Sequence, residues 1–119
     1  MKEYVITHTH TQETNGVIVE VPSSLKDYLE EIKTKDGVKS LIVTNHGNKL
    51  GWFKHYQLMK KYGHKYIHAV EGYTCLNGDD KFNRHILIYT TNHNGFEEIN
   101  ELISASYQRD GHFYKRPRM

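Results

Sequence analysis

Short apolar runs alternate with amphipathic stretches along this chain. Residues 4–7 (Tyr-Val-Ile-Thr) are aromatic or β-branched and predict a short buried strand. A polar turn over 11–16 follows. Pro22-Ser23-Ser24 then offers an N-cap, and Leu25, Tyr28, Leu29 and Ile32 fall at helical spacing before Asp36-Gly37 stops the helix. Residues 38–44 (Val-Lys-Ser-Leu-Ile-Val-Thr) predict a second strand. A second helix fits 50–62, with Phe53, Tyr56 and Met59 in it and Gly63 as its C-cap. A third strand is predicted within 65–75, a turn at Asn77-Gly78-Asp79-Asp80, and a fourth strand over 85–91. Asn94-Gly95 precedes a third helix over 96–107, whose Phe96, Ile99, Leu102, Ile103 and Tyr107 share one side.

The predicted order is β-α-β-α-β-β-α. Strands alternating with helices define an α/β class with a mainly parallel sheet and right-handed crossovers. Four strands do not close a barrel, so the fold reads as unfinished. An open sheet exposes apolar edges, which predicts self-association or the need of a partner.

Composition narrows the class. A chain of 119 residues is one domain or part of one. Hydrophobic residues make up 37% and charged residues 25%, as in folded globular proteins rather than disordered ones. No apolar run approaches the ~20 residues that span a bilayer, and the N-terminus lacks a signal pattern, so a cytoplasmic protein without a membrane partner is expected. A net charge of +2 does not support nucleic-acid binding by bulk electrostatics. The basic run Tyr114-Lys115-Arg116-Pro117-Arg118 reads as a solvated or connecting end. Cys75 is the sole cysteine and reads as a small buried hydrophobe.

Histidine is the anomaly, with nine in the chain. Both of the first two strands run directly into it: His8-Thr9-His10 after the first, Thr44-Asn45-His46 after the second. Chemistry in α/β sheets gathers at the carboxyl ends of parallel strands. In His-x-His on a strand, both imidazoles point to one face because the period is two. His8, His10 and His46 therefore read as a metal site, whereas His55, His64, His68, His93 and His112 read as surface or hydrogen-bonded structural histidines. Trp52, Phe53, Tyr56 and Met59 read as core or interface rather than a base-stacking platform.

Further motifs follow in order: Val70-Glu71-Gly72-Tyr73, Arg84-His85-Ile86-Leu87-Ile88, Asn94-Gly95-Phe96, and Gly111-His112-Phe113-Tyr114-Lys115-Arg116-Pro117-Arg118. Together with His8-Thr9-His10-Thr11 and Leu41-Ile42-Val43-Thr44-Asn45-His46-Gly47-Asn48, they resemble the PHP domain (polymerase and histidinol phosphatase family). The version they resemble is the one at the N-terminus of the alpha subunit of bacterial DNA polymerase III. The resemblance covers essentially the whole chain. It implies about the first half of a distorted PHP-type (β/α)7 barrel, with residues 1–119 as the incomplete N-terminal portion of the domain. It also implies metal ligands at His8, His10, His46, Glu71 and His85, and a divalent ion (Zn2+, Mn2+ or Mg2+) as cofactor. Active members of the family hydrolyse phosphoesters, some as 3′–5′ exonucleases. The implied partners are the remainder of a polymerase or other replication subunits, with DNA met indirectly.

The pattern departs from the family in three places. Asn15-Gly16 stands where the family has Asp-Gly after the His-x-His loop, and Asn45 stands where the family has Asp. Asn15 and Asn45 thus read as degenerate site positions. The family's later ligands, a Cys or His and then an Asp-x-His pair, have no counterpart in this chain. Close-set cations need anionic ligands, so at most one weakly held ion is expected. Nucleotidyl transfer needs a carboxylate-bearing palm, which is also absent. The expectation is a truncated or phage-type replication module that is non-catalytic on its own, with a metal-dependent phosphoesterase as the alternative.

Overall fold

The computed structural model describes residues 2–16, 20–108, 113–114 and 116–119. Strand β1 (Tyr4–Thr9) lies parallel to β2 (Val38–Val43). Parallel neighbours need a crossover, which a short 3-10 turn (Gln12–Gly16) and helix α1 (Leu25–Ile32) provide. Ser24 caps α1 in a reciprocal box: its hydroxyl accepts from the Asp27 N–H, and the Asp27 carboxylate accepts from the Ser24 N–H. Leu25, Leu29 and Ile32 then recur on one face and bury against Leu41 and Val43 of β2. Met59 of helix α2 (Trp52–Lys61) completes this core. Each such side chain contributes roughly 1.5–3 kcal/mol by leaving water.

Helix α2 starts at Gly51, whose φ of 71° lies in the left-handed region. A Cβ there would also sit 3.3 Å from the Glu13 side chain, so glycine lets the start of α2 approach the first loop closely.

Beyond α2 the topology departs from the parallel expectation. Strand β3 (Ala69–Thr74) joins the end of β2 through one parallel bridge, His46 to Glu71, with Glu71 N–H donating to Asn45 O at 3.1 Å and Gly47 N–H to Glu71 O at 2.8 Å. Strand β4 (Arg84–Tyr89) is antiparallel to β3. The connection over 75–83 contains no helix, and a hairpin is the pairing that so short a link permits. The strands thus form a parallel pair, β1–β2, and an antiparallel pair, β3–β4, joined by that single bridge. The fold is a small α/β domain in which three helices accompany these four strands.

Helix α3 (His93–Ser106) begins earlier than the expected 96. The Asn92 side chain accepts from Gly95 N–H, so Asn94 and Gly95 form its first turn rather than a preceding loop.

The basic end is not a solvated tail. Strands β5 (Phe113–Tyr114) and β6 (Arg116–Pro117) pair with each other, and Pro117 and Arg118 are buried. Arg118 donates to the carbonyls of Gly78 and Asp80, and Met119 N–H donates to Tyr73 O at 2.7 Å. A guanidinium can be buried because it brings many donors to carbonyls that would otherwise need water. Lys115 and the 109–112 segment, including His112, lie outside the described residues. Cys75 is half-buried rather than fully buried. Among the described residues no helix is long and apolar enough to cross a membrane.

Candidate metal centre

Glu71 sits near the middle of β3 and is 1% exposed. A carboxylate that dry needs partners, and imidazoles surround it. Its Oε1 lies 2.9 Å from His85 Nδ1 and 3.4 Å from His8 Nε2. Its Oε2 lies 2.8 Å from His10 Nε2 and 2.9 Å from His46 Nδ1. The structure therefore brings His8, His10, His46 and His85 to one carboxylate, delivered by the ends of β1 and β2 and by the β3–β4 pair.

A second carboxylate, which sequence reasoning missed, closes the other side. Glu20 Oε1 lies 2.8 Å from His10 Nδ1 and 2.9 Å from His46 Nε2. His10 and His46 thus each face both acids. Glu20 lies in the irregular stretch before α1, where no periodicity flags a residue. The available signal was only that an acid follows His-x-His within the same loop.

Both asparagines are engaged by hydrogen bonds within the first loop. The Asn15 side chain accepts from the N–H groups of Glu20 and Val21 and donates to Val21 O. It holds the backbone that carries Glu20 instead of facing the imidazoles as a weakened ligand. Asn45 is buried and clamps the first loop: its Oδ1 accepts from Thr11 N–H at 2.7 Å, and its amide donates to Thr11 Oγ1 at 2.8 Å. That hydroxyl donates onward to Glu13 Oε2. A carboxylate in place of this amide would leave one hydroxyl hydrogen between two acids, so asparagine suits the neighbourhood. Glu20, whose backbone Asn15 holds, is the carboxylate this loop brings to His10 and His46.

Tyr73, two positions after Glu71, places its hydroxyl 2.6 Å from His46 Nδ1. Burial pushes this phenol up to about 12, so it stays protonated as a hydrogen-bond donor at neutral pH. Burial, and after it the His10 imidazole, pulls His46 below its usual pKa and favours its neutral form, the form that ligates metals. Hydrogen bonding, first to His10 and then to His46, holds Glu20 below the usual carboxylate range.

Besides its hydrogen bonds, the arrangement offers donor atoms grouped closely enough for a cation. Glu71 Oε2 has two ring nitrogens within 3 Å, yet neither approaches with hydrogen-bond geometry. His8 Nε2 and His10 Nε2 lie 3.1 Å apart. Nitrogen and oxygen ligands about 2.0–2.2 Å from one ion sit at roughly that mutual spacing. Two triads have donor atoms mutually within 4.8 Å: His8, His10 and Glu71, and His10, Glu20 and His46. Imidazole with carboxylate is a donor set for Zn2+, Mn2+ or Fe2+. His8 and His85 are about half exposed, so one side faces solvent.

The remaining described histidines stand apart from this centre. His68 is buried between Tyr66 Oη and Asn100 Oδ1, at 2.9 and 3.0 Å. His55 is buried 3.3 Å from Glu13 Oε2. His64 is half-buried and His93 exposed.

A mixed α/β domain that gathers strand-end histidines around a carboxylate defines a class, and the chain belongs to it: residues 7–119 match the PHP domain family. Among its relatives is the DNA polymerase III subunit alpha of Campylobacter jejuni, 31% identical over 98% of this chain. The DNA polymerase III alpha subunits of Helicobacter pylori strain J99 and Aquifex aeolicus are 29% and 28% identical over 97% and 99% of it. The chain spans about a tenth of the length of these relatives.

Proposed function

We propose that this chain is the opening portion of a PHP-type barrel in a replication polymerase of the polymerase III alpha kind. In this reading the His/Glu centre holds a divalent cation and ties the strand ends together, and the chain is non-catalytic on its own. His8, His10 and Glu71, with His85 beside Glu71, would hold the ion on one side of the imidazoles, and His10, Glu20 and His46 offer a second set of donors on the other. The polymerase remainder or other replication subunits are its partners, and DNA is met through them. The observation that carries this reading is Glu71 Oε2, buried, with two imidazole nitrogens within 3 Å and no hydrogen bond. Leaving such a charge uncompensated costs several kcal/mol, by order of magnitude.

The test is metal content after equilibration with Zn2+ or Mn2+ and desalting, for the native chain and for Glu71→Gln. The native chain should retain metal stoichiometrically and the variant should not. A native chain that emerges metal-free, with an unchanged melting temperature, would sink the proposal.

A second reading, a metal-dependent phosphoesterase, is favoured by the half-exposed His8 and His85, which leave the centre open to a phosphate. A bound ion there would act as a Lewis acid toward a phosphoryl oxygen. Release of p-nitrophenol from bis(p-nitrophenyl) phosphate with Mn2+, lost in Glu71→Gln, would select this reading over the first.

A further inference from the structure

A cavity of about 680 Å3 lies beside the β3–β4 pair, between the starts of α2 and α3. None of its lining residues belongs to the metal centre. Its size is within the range of small-molecule sites, roughly 300–1,000 Å3.

The walls are aromatic. Trp52, Tyr56, Tyr66 and Phe96 line it. Trp52 meets Phe96 edge to face at 4.8 Å, and Tyr56 meets Tyr66 the same way at 5.9 Å. Rings packed edge to face line a space without filling it. The floor is His68, whose two ring nitrogens are already engaged by Tyr66 and Asn100, so it offers shape and no free polar atom. Of the residues read as core or interface rather than a base-stacking platform, Met59 lies in the core, whereas Trp52 and Tyr56 line this cavity.

The polar lining carries one fixed charge, the Lys65 ammonium, and His93 in the same lining lies 4.0 Å from Glu97 Oε1. Among the described residues no Asp or Glu lines the cavity, although the chain carries 14 of them. Lys65 and His93 do line it. Among the described residues, no side-chain hydrogen bond or ion pair engages the Lys65 ammonium. The Thr91 hydroxyl and the Asn92 amide add hydrogen-bonding capacity at the same rim.

Aromatic walls with an ammonium at the rim suit a planar ring that carries an anion. We propose that this cavity binds a nucleobase bearing a phosphate, the ring against Trp52 and Tyr56 and the phosphate toward Lys65. Base–aromatic stacking tolerates any base, and an ammonium recognises phosphate as a point charge. That chemistry belongs both to a free nucleotide and to the unpaired end of a strand. The inference stands independently of the metal reading.

Trp52 is the sole tryptophan, so its fluorescence reports on the cavity. The full chain is titrated in EDTA, which removes any ion from the His/Glu centre, with thymidine 5′-monophosphate, thymidine, inorganic phosphate and a short oligo(dT). Saturable quenching is expected with the monophosphate, at least about tenfold tighter than with thymidine or phosphate alone. Tyr56→Ala should weaken it by at least about fivefold. Lys65→Gln should reduce it toward the affinity for thymidine. Both positions are exposed, so neither change should unfold the chain, and circular dichroism checks this. Oligo(dT) binding at lower concentration than the mononucleotide identifies a strand end as the source, and equal affinity identifies the free nucleotide. No saturable quenching by either, or quenching unaltered in both variants, overturns the proposal.

Discussion

His46 and His68 are equally buried, at 3% exposure each, yet they sit in opposite kinds of site. His68 has one acceptor and one hydroxyl for its two nitrogens. A single neutral tautomer satisfies both, with Nε2–H donating to Asn100 and Nδ1 accepting from Tyr66. His46 has the Tyr73 hydroxyl and Glu71 Oε2 at Nδ1, and Glu20 at Nε2. No neutral tautomer serves all three, because one imidazole hydrogen faces two carboxylates. Burial alone therefore does not distinguish the two sites. The surplus of acceptors over imidazole protons at His46 does, since a second proton or a cation is needed there to satisfy both carboxylates.

The sharpest way to break this comparison is to delete each ring. His46→Ala should lower affinity for Zn2+ or Mn2+ by at least about 100-fold, because it removes a ligand that faces both carboxylates. Isothermal titration would read this. His68→Ala should leave metal affinity within about threefold of native but cost roughly 2–4 kcal/mol in urea unfolding. It opens a cavity and orphans Tyr66 and Asn100. Equal metal loss in both variants would dissolve the distinction.

Acid should sharpen it next. Burial first, and then nearby Lys49, pull His68 from 6.5 to about 4. The unfolded chain then binds more protons than the folded one between these values. The stability held by neutral His68 is full above about 6.5 and is lost as pH falls toward about 4. The loss should reach roughly 2–3 kcal/mol. Unfolding midpoints measured across that range should show a slope that flattens in His68→Gln.

Smaller effects test the supports around His46. Asn15→Ala frees the backbone that carries Glu20 and should weaken metal binding about tenfold, as removal of an outer partner commonly does. Loss of stability without loss of affinity would show that Glu20 does not need that clamp. Asn45→Asp should cost about 1–2 kcal/mol in metal-free protein, because the Thr11 hydroxyl cannot donate both to the new carboxylate and to Glu13. A variant at least as stable as native would mean that Thr11 or Glu13 rearranges.

Much of this was legible locally. Ser24 with Asp27, and the spacing of Leu25, Leu29 and Ile32, announce α1 because capping and helical periodicity act within a turn or two. The strand ends carrying His8, His10 and His46 were readable for a similar reason, and Glu71 and His85 came with the family motifs. The start of α3 was not, because Asn92 is one of several polar residues there and only the Gly95 N–H selects it.

Sequence alone thus determined the α/β class, the three helices and first four strands, and the histidines at strand ends, since each depends on neighbours in the chain or on motifs shared with relatives. Tertiary structure decided the rest. Glu20 joins His10 and His46 because an irregular loop returns to them, and no periodic pattern encodes where such a loop arrives. β3 and β4 run antiparallel because their link is too short to cross over. Arg118 is buried because the hairpin loop offers it carbonyls from far back in the chain. The aromatic cavity exists because α2 and α3 meet beside β3. Each of these depends on contacts between residues distant in sequence, which only packing brings together.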